Sequence, residues 1–183
     1  MAFMTRQDAL DIQNEMPWEA RERPQTIYQM LSQVAGRFPN RPAISYQLFS
    51  GATDKAQTLT WQQFHDQCCQ AANLFRSLKL GEGDVVALVL PNCLETAAAT
   101  IGGMIAGIVN PINPLLEPEQ ISAILRETGA KVVVTLKAFP KTDIAQKTAE
   151  AVRHAPSVHT VIEIDLNRYL TPPKSWIVPL VRP

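Results

Sequence analysis

Two apolar runs without polar interruption occupy the middle of the chain. They are Val85-Val86-Ala87-Leu88-Val89-Leu90 and Lys131-Val132-Val133-Val134-Thr135. Half-buried strands alternate apolar and polar residues, whereas unbroken runs suit strands covered on both faces, as in a parallel sheet. Parallel neighbours need crossovers of helical length, and the segments around these runs are long enough to be helices. Between the runs lie a stretch of small residues, Ala97-Ala98-Ala99-Thr100-Ile101-Gly102-Gly103, and a proline-broken loop, Asn110-Pro111-Ile112-Asn113-Pro114. A helical pattern follows from Pro118 to Thr128, with Ile121, Ile124, Leu125 and Thr128 at i, i+3, i+4 and i+7. Pro118 suits its first turn and Gly129 a left-handed position just past its end. The heart of the chain reads as β-α-β-α-β with right-handed connections.

The flanks extend this pattern. Residues 1–25 are polar and read as an irregular arm on the surface, with Trp18 tucked in. Thr26 caps a helix whose face is Ile27, Met30, Leu31, Val34 and Phe38, and Pro39 and Pro42 end it. Ala43 to Phe49 is a short strand, Ser50 to Gln57 a polar loop and Leu59 part of a returning strand, which together make a hairpin. Thr60 caps the next helix, with Trp61, Phe64, Cys68, Ala71, Ala72, Phe75 and Leu78 on one stripe. Gly81-Glu82-Gly83-Asp84 turns into the first central strand. Thr142 to His154 reads as an amphipathic helix and Val158 to Ile164 as a strand. The expected division is an arm over 1–25, an α/β subdomain over 26–165 and a Pro-rich linker over 166–183, broken by Pro172, Pro173, Pro179 and Pro183. The expected fold class is thus α/β, a mostly parallel sheet with helices on both faces plus an N-terminal β-hairpin.

Composition narrows the function classes. Of 183 residues 46% are apolar and 19% charged, ordinary values for a globular chain. Lys plus Arg equals Asp plus Glu at 17 each, so no basic excess suggests nucleic acid. Three cysteines, two of them adjacent, make no disulfide framework, which favours a reducing cytosol. The most apolar window, Thr96 to Val109, is shorter than the about 20 residues of a membrane span. Its alanines and glycines favour a helix pressed closely onto a sheet.

Candidate chemistry is sparse. Ser50-Gly51-Ala52-Thr53-Asp54-Lys55 has a phosphate-loop flavour, but it lacks the second glycine and the Gly-Lys-Ser/Thr ending and sits in a hairpin. Gly81-x-Gly83 precedes a strand, whereas a dinucleotide fingerprint follows one. Gly102, Gly103 and Gly107 are explained by close packing. Cys68 and Cys69 point about 100° apart on a helix and do not face one metal. Cys93 follows a strand end without a His or acid partner nearby in sequence, which favours an inert buried thiol over a nucleophile. His65, His154 and His159 lack ligand spacing. Asp84, Glu95, Glu117 and Glu119 stand at element ends, where turn geometry and the helix dipole account for them. Asn92 is the polar residue of most interest. It lies past the carboxyl end of the first central strand, where open α/β sheets place ligands, although Pro-Asn is also a common turn pair.

The order of the landmarks resembles the AMP-forming acyl-CoA synthetases, the adenylate-forming ligases that include luciferase and peptide-synthetase adenylation domains. The matching pieces are Phe38-Pro39-Asn40-Arg41-Pro42-Ala43-Ile44, Leu59-Thr60-Trp61 with Phe64, Leu80, and Gly83-Asp84-Val85-Val86-Ala87. They continue with Leu90-Pro91-Asn92, Gly107 through Asn110-Pro111, Asn113-Pro114, Glu119-Gln120-Ile121 and Gly129 to Thr135. The likeness covers about residues 25 to 165. The Asn113-Pro114-Leu115-Leu116-Glu117 form of the loop looks most like the fatty-acyl-CoA ligase branch.

The resemblance implies part of the large N-terminal domain of such a ligase. It implies activation of a fatty or other carboxylic acid with ATP through an acyl-adenylate, thioester formation with CoA, and Mg2+ at the phosphates. The family's Ser/Thr/Gly-rich phosphate loop, adenine and ribose contacts and catalytic lysine have no counterpart in this sequence. No catalytic, cofactor or metal residue is therefore assigned, and Asn92 is carried only as a wall of the substrate pocket. The implied protein is a cytoplasmic ligase, its peripheral membrane association left open, of which this N-terminal fragment is inactive alone and binds no cofactor. Its partners would be the remaining regions of the ligase and, through exposed apolar surface, a second copy. A free-standing nucleotide-binding α/β domain and a non-catalytic interaction module remain as alternatives.

Overall fold

The computed structural model describes residues 5–49, 51 and 54–183. Helix α1 (Arg6–Glu15) is held at its start by a reciprocal pair: Thr5 Oγ1 accepts from the Asp8 amide, and the Asp8 carboxylate accepts from the Thr5 amide. The irregular arm expected over 1–25 is thus corrected across these ten residues, because a local cap suffices where no core-facing stripe exists. The helix buries no side chain. Nor is Trp18 tucked in; it is 61% exposed, with the Arg23 guanidinium 4.0 Å from its ring centre.

Helix α2 (Ile27–Arg37) starts at Thr26, whose hydroxyl accepts from the Gln29 amide at 3.1 Å. Strands β1 (Pro42–Tyr46) and β2 (Gln57–Thr60) form an antiparallel hairpin. Its loop carries the candidate phosphate loop, of which Ser50, Ala52 and Thr53 lie outside the described residues. Helix α3 (Trp61–Ser77) opens on Thr60, which exchanges hydrogen bonds with Gln63. The Gly81–Asp84 turn is closed by the Gly81 amide donating to the Asp84 carboxylate at 2.9 Å.

Strand β3 (Val85–Val89), helix α4 (Leu94–Ala106), strand β4 (Ile108–Pro111), helix α5 (Pro118–Thr128) and strand β5 (Val132–Leu136) then follow in turn. Helix α6 (Ile144–Arg153) leads to strand β6 (Thr160–Ile164). These four strands form one parallel sheet in the order β4-β3-β5-β6. Every residue of β3 and β5 is buried, as unbroken apolar runs require. The chain steps one way from β3 to β4 and the other way from β4 to β5 and β6. Right-handed crossovers therefore place α4 on one face and α5 and α6 on the other.

Strand β4 occupies part of the stretch expected as a proline-broken loop. It tolerates Pro111 because it is an edge strand. Ile108 and Ile112 donate to Asp84 and Leu88 of the β3 side, so by alternation the nitrogen of Pro111 faces the open edge. Lys131 meets Asp84 at 2.6 Å, tying the start of β5 to the turn before β3. The hydrogen bond from Lys131 holds the Asp84 carboxyl below its ordinary value.

Helix α4 lies unusually close to its neighbours. A Cβ on Gly102 would sit 2.8 Å from the carbonyl oxygen of Cys68 and 2.9 Å from the amide of Ala72, both backbone atoms of α3. One on Gly103 would meet Val86 and Val109, and one on Gly107 the carbonyls of Gly81 and Asp84 at 2.7 and 2.6 Å. The close packing expected from the small-residue stretch is present in these three contacts. Helix α5 carries the expected caps, with Pro118 in its first turn and Gly129 left-handed at φ 62°.

Beyond Asp165, the segment read as a linker folds back on the body. It holds a 3-10 turn at Leu166–Tyr169, a helical turn at Lys174–Ile177 and another 3-10 turn at Val178–Leu180. Leu166 is buried, and Arg182 donates twice to the Asp165 carboxylate, at 2.8 and 2.6 Å.

Replacing Gly102 by Val drives a side chain into the α3 backbone and is expected to destabilise the chain by at least about 1–3 kcal/mol. Gly36→Ala, where nothing lies within 4 Å, is expected to stabilise α2 by about 0.5–1 kcal/mol. Urea denaturation followed by circular dichroism measures both, and equal effects would contradict the close α3–α4 approach.

Candidate functional site

In an open α/β sheet the crevice lies past the carboxyl ends of neighbouring strands whose crossovers leave toward opposite faces. Here those strands are β3 and β5, and the backbone emerging from β3 is Leu90-Pro91-Asn92-Cys93. Asn92 is exposed in a bend just past the end of β3. Cys93 is buried and forms the N-cap of α4. The Thr96 hydroxyl donates to the Pro91 carbonyl at 2.6 Å, which leaves its oxygen to accept from the Cys93 thiol at 3.1 Å. Burial pushes the Cys93 thiol up despite the Thr96 bonds, so the group is a neutral donor rather than a nucleophile.

The tail closes one side of the crevice. Tyr169 Oη accepts from the Leu94 amide at 3.3 Å, an otherwise orphan group of the first turn of α4, and donates to Glu95 Oε2 at 2.5 Å. Arg168 pairs with the other oxygen of the same carboxylate. The Tyr169 ring meets Tyr46 of β1 edge-on at 4.8 Å. Burial first, then the hydrogen bond to Glu95 and the Glu95 charge, raises the Tyr169 phenol, which therefore stays protonated as the donor to Glu95. Tyr46 is raised in the same direction, mainly by burial. Three distant segments thus converge on the start of α4: the hairpin, the β3–α4 turn and the tail.

Glu95 stands in the first turn of a helix, as its position in the sequence predicts, and also anchors the tail. Tyr46, Arg168 and Tyr169 carried no signal, because a lone tyrosine or arginine in a loop has no periodicity or motif to mark it. The remaining candidates stay apart from the crevice. Cys68 is buried against α4 and its thiol is pushed up to about 12, chiefly by burial. Cys69 lies 3.7 Å from His65 Nε2, and that nitrogen also meets Ser32 Oγ at 3.2 Å on the outer side of α3. His154 pairs with Glu150 on the surface of α6. Among the described residues no group of three or more His, Cys, Asp or Glu is arranged to hold a metal ion. Likewise no helix among them is long and apolar enough to cross a membrane.

The model of the AMP-binding enzyme family matches residues 31–176, which span the hairpin, the whole parallel sheet and the Tyr169 anchor. The chain belongs to the AMP-binding enzyme family. Among members of known sequence, the long-chain-fatty-acid–CoA ligase of Bacillus subtilis (strain 168) is 32% identical over 174 residues, covering 92% of this chain and 28% of that protein. The marinolic acid–CoA ligase of a Pseudoalteromonas species is 34% identical over 137 residues, covering 75% of this chain and 21% of that protein. Among solved structures, the Mycobacterium tuberculosis fatty acyl CoA synthetase superposes with a TM-score of 0.64 at 26% identity, over 76% of this chain and 26% of that one. The chain thus spans between about a sixth and under a third of the length of the curated relatives it matches. The parallel sheet with its hairpin is the architecture the resemblance implied.

Tyr169→Phe removes the partner of the Leu94 amide and of one Glu95 oxygen. We expect a loss of about 1–3 kcal/mol in urea denaturation, with Tyr46→Leu costing less because only ring packing is lost. The Cys68 thiol ionises near 9.0 when unfolded and near 12 when folded, so the unfolded chain binds fewer protons between those values. Stability therefore falls as pH rises from 9 toward 12, by up to about 1.4 kcal/mol per pH unit for this group. Cys68→Ala should flatten that slope, as read from denaturation midpoints across the alkaline range.

Proposed function

We propose that this chain forms the N-terminal subdomain of an AMP-forming fatty-acid–CoA ligase and is inactive by itself. In that reading the whole enzyme joins a fatty acid to ATP, releasing pyrophosphate and forming an acyl-adenylate that the CoA thiol then attacks. The observation that carries it is the match of residues 31–176 to the AMP-binding enzyme family, combined with 32% identity across 92% of the chain to a protein named for long-chain fatty acids. In this reading ATP, Mg2+ and CoA are bound by other parts of the whole enzyme.

What these residues do in this reading is structural and positional. The α/β subdomain over 26–165 supplies one wall of the large domain, and the segment over 166–183 leads toward the rest. Asn92, exposed just past the end of β3, forms part of the substrate-pocket wall. Exposed apolar side chains such as Trp176, Leu180 and Leu115 are covered by the remaining regions of the ligase or by a second copy. The setting is cytoplasmic.

ATP–pyrophosphate exchange with a panel of fatty acids tests the proposal. The chain alone is expected to give none above background. Substituted for the corresponding residues of the Bacillus subtilis ligase, it should support exchange with long-chain acids, and Asn92→Ala in that chimera should raise KM for the acid. Exchange by the isolated chain would overturn its inactivity, and a folded chimera that activates no fatty acid would overturn the substrate class.

A further inference from the structure

Away from the crevice, on the outer side of α3, four polar side chains meet: Ser32 of α2 with His65, Asp66 and Cys69 of α3. His65 and Cys69 are four residues apart, and on a helix residues at i and i+4 are neighbours on one face. The two touch, with Cys69 Sγ 3.7 Å from His65 Nε2 and 3.9 Å from Nδ1. A tetrahedral zinc ion has bonds of about 2.0 Å to nitrogen and about 2.3 Å to sulfur, which sets those two ligands about 3.6 Å apart. The observed separation is already close to that value. Because Sγ lies almost equidistant from the two nitrogens, seating the ion takes a turn of the imidazole side chain but no movement of the helix backbone. Counting spacings between histidines misses this pair, since one turn after His65 the second donor is a cysteine.

The surroundings suit a ligating histidine. With the proton on Nδ1, that nitrogen donates to Asp66 Oδ1 at 3.3 Å, and Nε2 keeps the lone pair that accepts from the Ser32 hydroxyl at 3.2 Å. A carboxylate on the far nitrogen is the partner that metal-bound histidines ordinarily have, because it fixes the tautomer and makes the ring a better donor. The Asp66 carboxylate is exposed and has room to follow the ring. Cys69 is half-buried and lines a concavity of about 1030 Å³ between the start of α2, α3 and the end of α4, which gives an ion a path from solvent. Burial first, then the Asp66 charge, raises the Cys69 thiol, against Arg76, which lowers it. The ion must therefore displace a proton to gain its thiolate. Among the described residues no further His, Cys, Asp or Glu completes a set of three ligands, so water fills the remaining positions of an open site.

We propose that His65 and Cys69 bind one zinc-type divalent ion, with Asp66 orienting the imidazole from behind. Both ligands lie on one helix, so the pair needs no other region of the ligase, and it stands whether or not the ligase reading holds. Hard ions such as Mg2+, which take oxygen ligands, do not match a thiolate and an imidazole. An occupied site clamps one turn of α3 and shields the Cys69 sulfur from alkylation.

Titration of the chain with Co2+, a spectroscopic stand-in for Zn2+, tests the site, with a phosphine reductant keeping the thiols free. Binding should bring thiolate-to-metal charge-transfer absorption in the near ultraviolet and saturate at one equivalent. Zn2+ should abolish that absorption by competition, and Mg2+ in large excess should not. Cys69→Ser should remove the absorption. His65→Gln and Asp66→Asn should each weaken binding by about tenfold or more, whereas His154→Gln, in the other histidine–acid pair, should change nothing. Zn2+ should also slow alkylation of Cys69, located by peptide mass mapping. Circular dichroism establishes that each variant is folded. Absence of the absorption, its survival in Cys69→Ser, or an affinity indifferent to His65→Gln overturns the proposal, and an unchanged affinity in Asp66→Asn overturns the role of that carboxylate. None of these readouts involves ATP or an acid substrate, so failure here leaves the ligase reading to be tested independently by pyrophosphate exchange.

Discussion

Two strands buried along their whole length set the terms for everything around them. Val85–Val89 and Val132–Leu136 have no polar face to offer water, so both sides of the sheet must be covered. On one side the cover is α4, and it is held at a distance that no side chain would permit at three places. Gly102 faces the backbone of α3, Gly103 faces Val86 and Val109, and Gly107 faces the carbonyls of the Gly81–Asp84 turn. Small residues at these positions let α3, α4 and the sheet close without voids, and the remaining elements attach to that block.

The same block creates the crevice. Because the chain leaves β3 toward one edge and returns to the other side of it, β3 and β5 lie side by side with their crossovers on opposite faces. Past their carboxyl ends the β3–α4 turn is held by the Pro91–Thr96–Cys93 hydrogen bonds, and Tyr169 accepts from the first turn of α4. The groups gathered there are neutral or already paired: a protonated thiol, a protonated phenol and a carboxylate with two donors. They order a surface rather than attack a substrate. The chain spans only 21% and 28% of the two CoA ligases named above.

Much of the fold was legible from residue order. The two buried runs announced a doubly covered parallel sheet, Thr26 and Thr60 marked helix starts, and Pro118 and Gly129 bounded α5 correctly. Two local features escaped. Helix α1 rests on a cap with no apolar stripe behind it. Strand β4 contains a proline that rules out a central strand but suits an edge, and edge status depends on strand order, which periodicity does not report. Asn92 and Cys93 could be placed just past the end of β3 because they follow a visible strand. Tyr46, Glu95 and Tyr169 came together from three separate segments, and no spacing in the sequence joins residues so far apart.

The division has a physical cause. Periodicity, caps and breakers act within a few residues, so the sequence determined the core helices and strands with a clear period, that the sheet is mostly parallel and that α4 must pack closely. Its ordered landmarks also indicated the family. Strand order, the meeting of Tyr169 with Glu95 and the contact of Ser32 with His65 depend on how those segments are stacked. Long-range packing energy selects among arrangements that local patterns leave equal, so these were decided by the tertiary structure alone.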